Sequence, residues 1–263
     1  MGPNSALAVS RPWSRCRAIG EHQLRRRGET KSARCLPSSL PSGGRPHAGV
    51  PARGWVQERQ EVSRGASSSV PVREPGWVCI SANYRLGPAV RFPEHLIDAK
   101  KVLAWVREHG HDYGADPAVV FVAGSSAGGH LAAMAALTPN DPRFQPGFER
   151  ADTSVTAAIC LYGYYGSLDT DERAPSSPQA YVRRDAPPFF VAHGDQDTLV
   201  LVEDARPFVQ RLRRSSSNPV VYAELPGAQH AFDLFHSIRF ETVVNAIEGF
   251  TAWVRSCEEA PQK

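Results

Sequence analysis

The sequence predicts an α/β fold, a mostly parallel sheet with helices on both faces. Two observations carry this. From Trp77 to Cys257, short apolar runs alternate with amphipathic stretches. One junction, Val119 to Leu137, reads as strand, tight turn and helix, with a serine held between glycines.

Each element follows from its own pattern. Trp77 to Tyr84 (WVCISANY) is a buried strand. Pro93 to His109 is a helix, because Leu96, Ala99, Val102, Leu103 and Val106 recur at three- and four-residue steps. The Val119 strand and the Leu131 to Leu137 helix come next. Strands follow at Val155 to Tyr162 (VTAAICLY) and Pro188 to His193 (PFFVAH). Glu203 to Arg214 is an amphipathic helix with Ala205, Phe208, Val209 and Leu212 inward. Pro219 to Leu225 (PVVYAEL) is the last strand. Phe240 to Cys257 is the closing helix.

The chain of 263 residues suits one sizeable domain, and its net charge of +3 is unremarkable. Residues 1–76 differ from the rest. They are rich in Arg, Ser, Pro and Gly and are expected to be low-complexity, disordered or irregular. Residues 77–257 form the expected domain, and 258–263 a tail. Arg25-Arg26-Arg27 comes without the aromatic platform of a nucleic-acid site, so no nucleic-acid partner is expected. No apolar run reaches the ~18 residues of a membrane span. The five cysteines show no metal-ligand spacing, and a reduced cytoplasmic location is the default expectation.

Gly124-Ser125-Ser126-Ala127-Gly128 has the form G-x-S-x-G. On a strand-to-helix turn, that pattern lifts the Ser126 hydroxyl above the sheet. The helix N-terminus aims free N–H groups, Ala127's among them, at an oxygen that becomes negative. A serine also needs a base, and the base needs an acid. In a parallel sheet both lie past the ends of later strands. Gly194-Asp195-Gln196-Asp197 follows one such strand, and Pro226-Gly227-Ala228-Gln229-His230 follows another. Ser126, Asp197 and His230 are the candidates, in a known chain order for such sites. Asp195 is the alternative acid and His236 the alternative base. His193 is expected to orient its loop and His130 to pack. His109 and His111 lack a third ligand, so no metal site is expected.

These pieces resemble the α/β-hydrolases of the hormone-sensitive-lipase-like type, small carboxylesterases and lipases. The residues that carry the resemblance are Asn83-Tyr84-Arg85-Leu86, Phe92-Pro93, Gly124 to Gly129, His193 to Asp197 and Gly227 to Phe232. It implies an α/β-hydrolase-like fold and hydrolysis of small-molecule carboxylic esters with short or medium acyl chains. It implies an acyl-enzyme on Ser126, Asp197 as the acid, and no cofactor. A catalytically impaired hydrolase-like binding protein, and an amide or peptide hydrolase, are the alternatives. Oligomeric state is open.

The chain departs from the family on its N-terminal side, where no His-Gly-Gly loop precedes the Asn83-Tyr84-Arg85 strand. That loop supplies further oxyanion donors, and losing one donor costs roughly 10²–10³ in rate. The resemblance also implies a strand between the Trp77 and Val119 strands. Arg45 to Ala52 is a poor substitute for it, so the sheet is expected to be incomplete or irregular there.

Overall fold

The computed structural model describes residues 17–18, 33–34, 52–59, 77–85, 90–168, 174–234 and 237–259. The rest of 1–76, the tail from 260 and His236 lie outside them. Among the described residues one sheet contains β1 (Arg17–Ala18), β2 (Ala33–Arg34), β3 (Ala52–Arg59), β4 (Trp77–Asn83), β5 (Ala115–Ser125), β6 (Ala157–Leu161), β7 (Phe189–Gly194) and β8 (Val220–Leu225). The strand order is β1-β4-β3-β5-β6-β7-β8, with β2 also on β4. All pairings are parallel except β2 with β4. The helices are α1 (Glu94–His109), α2 (Ala127–Leu137), α3 (Val202–Ser215) and α4 (Ile238–Glu259). Strands and helices from Trp77 onward fall within a few residues of their expected limits.

The irregularity expected beside the Trp77 strand is present: the β3–β5 register shifts between Arg53 and Gly54. The place between the Trp77 and Val119 strands is filled by β3, which pairs parallel with both neighbours. Trp55 is in register with Cys79 of β4 and Phe121 of β5. Ala52–Arg59 forms this strand because two neighbours bond its backbone, and an unpaired gap at that position would be costly; of Arg45 to Ala52, weighed for this place above, all but Ala52 lies outside the described residues.

Alternation along β5 shows how the layers form. Val120 and Val122 face α1, α2 and α3, whereas Phe121 and Ala123 face α4. Val120, Phe121, Val122 and Ala123 are all fully buried, as a central parallel strand requires. The helix stripes meet these faces: Leu96, Leu103 and Val106 of α1, Phe208 and Leu212 of α3, Val243, Ile247 and Phe250 of α4. Trp77 packs edge-on against Phe121, with centroids 5.3 Å apart. No helix among the described residues is long and apolar enough to cross a membrane.

Lys100 of α1 is fully buried and donates to the Thr138 carbonyl, with its ammonium 5.9 Å from the Phe144 ring centroid. Burial pushes its pKa down from 10.5 to about 8, opposed by nearby Asp141. The unfolded chain therefore holds this proton to higher pH than the folded one. Stability from this site rises as pH climbs through that window. The stability gap between the parent and Lys100→Met should move in the parent's favour by roughly 3 kcal/mol over the window. Urea unfolding below and above it checks this. A gap independent of pH would refute the buried charge.

Candidate active site

Ser126 sits between β5 and α2 at φ 56° and ψ −119°. A non-glycine residue with positive φ is strained, and here the strain turns the hydroxyl off the strand direction. The surroundings fix the turn. Ser126 N–H donates to the Leu161 carbonyl at 2.9 Å, and its own carbonyl accepts His130 N–H at 3.1 Å. Gly124 permits the sharp return, since a Cβ there would lie 2.2 Å from the Gly128 carbonyl carbon. Ala127 is the first residue of α2, so its N–H has no partner within the helix.

The loops after β7 and β8 supply the other two candidates. They are laced together: Gln196 N–H donates to the Ala228 carbonyl at 3.0 Å, and Gly227 N–H donates to Asp195 Oδ1 at 2.7 Å. Gly194 allows this closeness, because a Cβ there would come within 2.3 Å of the Ala228 oxygen. Asp195 thus ties the two loops, and Asp197 is the carboxylate that faces His230.

Ser126, His230 and Asp197 form one hydrogen-bonded line. His230 Nδ1 lies 2.7 Å from Asp197 Oδ2, and Nε2 lies 2.9 Å from Ser126 Oγ. An ionised carboxylate only accepts, so Nδ1 carries the proton and Nε2 is left to accept from the serine. Asp197 is held on its other side, where Oδ1 accepts N–H bonds from Leu199 at 2.9 Å and Val200 at 2.8 Å. The Asp197 side chain is fully buried and that of His230 is 16% exposed. The line therefore runs from a closed acid to a solvent-reachable base. Such a line takes the serine's proton as its oxygen attacks and returns it to a leaving group.

The remaining histidines take other places. His193 is buried beneath the acid loop, with Nε2 2.8 Å from the Val200 carbonyl and 3.3 Å from Asp197 Oδ2. A carbonyl only accepts, so Nε2 donates, and burial lowers the pKa of this ring. His130 bonds the Tyr164 carbonyl through Nδ1 at 2.9 Å, and burial pushes it down to about 4. His111 lies 3.2 Å from Asp112, and His109 packs on Trp105. Sequence reasoning left unassigned the Arg85 to Asp98 pair. Arg85 Nε and Nη2 donate to the two Asp98 oxygens at 2.7 and 3.1 Å, tying the chain after β4 to α1. The Asn83-Tyr84-Arg85 motif was its only signal.

The sheet order and the triad geometry define an α/β-hydrolase. Comparison with known proteins agrees. A family profile described as BD-FAE matches residues 50–174, a span that includes β3. The chain is 46% identical over 212 residues to the "Probable carboxylic ester hydrolase LipM" of Mycobacterium tuberculosis, covering 71% of this chain and 49% of that protein. It is 42% identical over 201 residues to "Esterase LipQ" of the same organism, covering 67% and 48%. The chain thus spans about half the length of these relatives. Esterase 2 of Thermogutta terrifontis superposes with a TM-score of 0.68 at 24% identity, covering 78% of this chain and 84% of that one. The resemblance to hormone-sensitive-lipase-like carboxylesterases is borne out, and the chain is an α/β-hydrolase related to them.

Proposed function

We propose that the chain hydrolyses carboxylic esters with short or medium acyl chains through an acyl-enzyme on Ser126. The observation that supports this most is the line from Ser126 Oγ through His230 to Asp197. Ser126 Oγ attacks the ester carbonyl while His230 Nε2 takes its proton. The carbonyl oxygen becomes an oxyanion and accepts from the Ala127 N–H. His230 then protonates the leaving alcohol, the ester C–O bond breaks, and the acyl group stays on Ser126. Water repeats the sequence with His230 as base and frees the acid. Asp197 keeps the proton on Nδ1 and balances the imidazolium charge. We also propose a cytoplasmic location, the default compartment for a chain with free thiols such as those of Cys79 and Cys160.

p-Nitrophenyl acetate tests the proposal, because its good leaving group demands least of the oxyanion site. The parent should release p-nitrophenol catalytically, and Ser126→Ala should lose that release. A folded parent with no serine-dependent turnover on any short acyl ester would overturn the reading in favour of a non-catalytic binding role.

A further inference from the structure

We propose that Tyr162 and Asp233 form a catch that positions His230, an inference that rests on the acyl transfer proposed above.

Tyr162 follows β6 directly and has φ 38°. A left-handed backbone at an aromatic residue is an outlier that only its surroundings can hold. Its N–H donates to the Ala192 carbonyl of β7 at 2.7 Å, which fixes the turn. From there the ring reaches across to the loop after β8. Its centroid lies 4.7 Å from that of the His230 imidazole, at 68° between planes. It lies 5.1 Å from Phe232, at 76°. Its hydroxyl donates to Asp233 Oδ1. One side chain therefore touches His230, Phe232 and Asp233. The residue it skips, Ala231, has φ 57°, so the loop turns sharply right after the base.

Ordinary core packing accounts for Tyr162 against Phe232, but not for a carboxylate there. Asp233 is only 7% exposed, and burying such a group is costly unless hydrogen bonds compensate. What the arrangement provides is control of His230. The imidazole must keep Nδ1 at Asp197 and Nε2 at Ser126 together, and a misplacement of about 1 Å can cost roughly 10²-fold in rate. Asp197 fixes one ring nitrogen. Tyr162 borders the ring, and through Asp233 it anchors the backbone three residues on. The left-handed Ala231 is thereby trapped between two fixed points.

Three variants test the catch. Tyr162→Phe removes one oxygen and keeps the ring. Asp233→Ala removes the acceptor, whereas Asp233→Asn retains one. With active sites counted by titration, Tyr162→Phe and Asp233→Ala should lower kcat by about ten- to a hundredfold, with KM little changed. The double variant should be no slower than the slower single variant, as residues acting through one bond are non-additive. Asp233→Asn should keep most of the parent rate. Amide hydrogen exchange over residues 226–234 should quicken in Tyr162→Phe, a readout that needs no turnover. A parent without Ser126-dependent turnover would strike the function proposed above and leave exchange to decide the catch. In an active parent, unchanged kcat per titrated site overturns the catch even if the melting temperature falls. Unchanged exchange overturns it as well. Equal losses in Asp233→Asn and Asp233→Ala would overturn the hydrogen bond as its means.

Discussion

His230→Ala should cut turnover as far as Ser126→Ala does, and the double variant should be no slower than either. The 2.9 Å contact between Ser126 Oγ and His230 Nε2 is the reason. Without the base, the hydroxyl keeps its proton and attacks no faster than an ordinary alcohol. Without the nucleophile, the base has nothing to activate. Each removal therefore deletes the same step. In another serine hydrolase such losses are about 10⁶ in kcat and strongly non-additive. A residue of roughly 10³–10⁴ over water should survive, from the oxyanion donor and from substrate binding. Single and double variants assayed on p-nitrophenyl acetate, with circular dichroism confirming the fold, check this. A double variant far slower than both singles would show two independent contributions and break the proposed unit.

The candidate site was legible because its signals are local. Val119 to Leu137 carries a continuous apolar run, a serine between glycines and a helical run within one stretch. Gly194 and Gly124 stand where a Cβ would strike backbone, so their places mark the tight approaches. β3 was not legible. Ala52–Arg59 reads ARGWVQER, with a glycine and polar residues where a central parallel strand ordinarily runs apolar. It becomes a strand because β4 and β5 bond it on both edges, and no single-segment pattern reports that. The loop that follows β3 is where the resemblance implies further oxyanion donors, and residues 60–76 lie outside the described residues. Tyr162 and Asp233 were hidden for a related reason. They are 71 residues apart, and each sits in a run explained well enough by strand or loop chemistry. Only the parallel order of β6, β7 and β8 brings the two loops together.

Asp197→Asn should leave the fold intact and cut kcat by about 10⁴, the loss seen for the same change in another triad. The structure gives this substitution a specific course. Asp197 Oδ1 accepts two backbone N–H groups, from Leu199 and Val200. An asparagine would keep its carbonyl oxygen there, because an amide nitrogen would face two donors. Its NH₂ group would then occupy the place of Oδ2, 2.7 Å from His230 Nδ1. An amide N–H requires Nδ1 to accept, so the ring proton moves to Nε2. That proton points at Ser126 Oγ, and the nitrogen that should take the serine's proton already holds one. The NH₂ group would also oppose the donating Nε2 of His193 at 3.3 Å, which adds a second mismatch. Asp197→Ala lacks the amide donor and leaves both tautomers open to His230. It should therefore be no slower than Asp197→Asn despite removing more of the side chain. Turnover of p-nitrophenyl acetate by the two variants, with melting temperatures measured alongside, provides the comparison. An Asp197→Asn enzyme that keeps most of the parent kcat would show that His230 does not depend on Asp197 for its tautomer, and would return Asp195 to consideration as the acid.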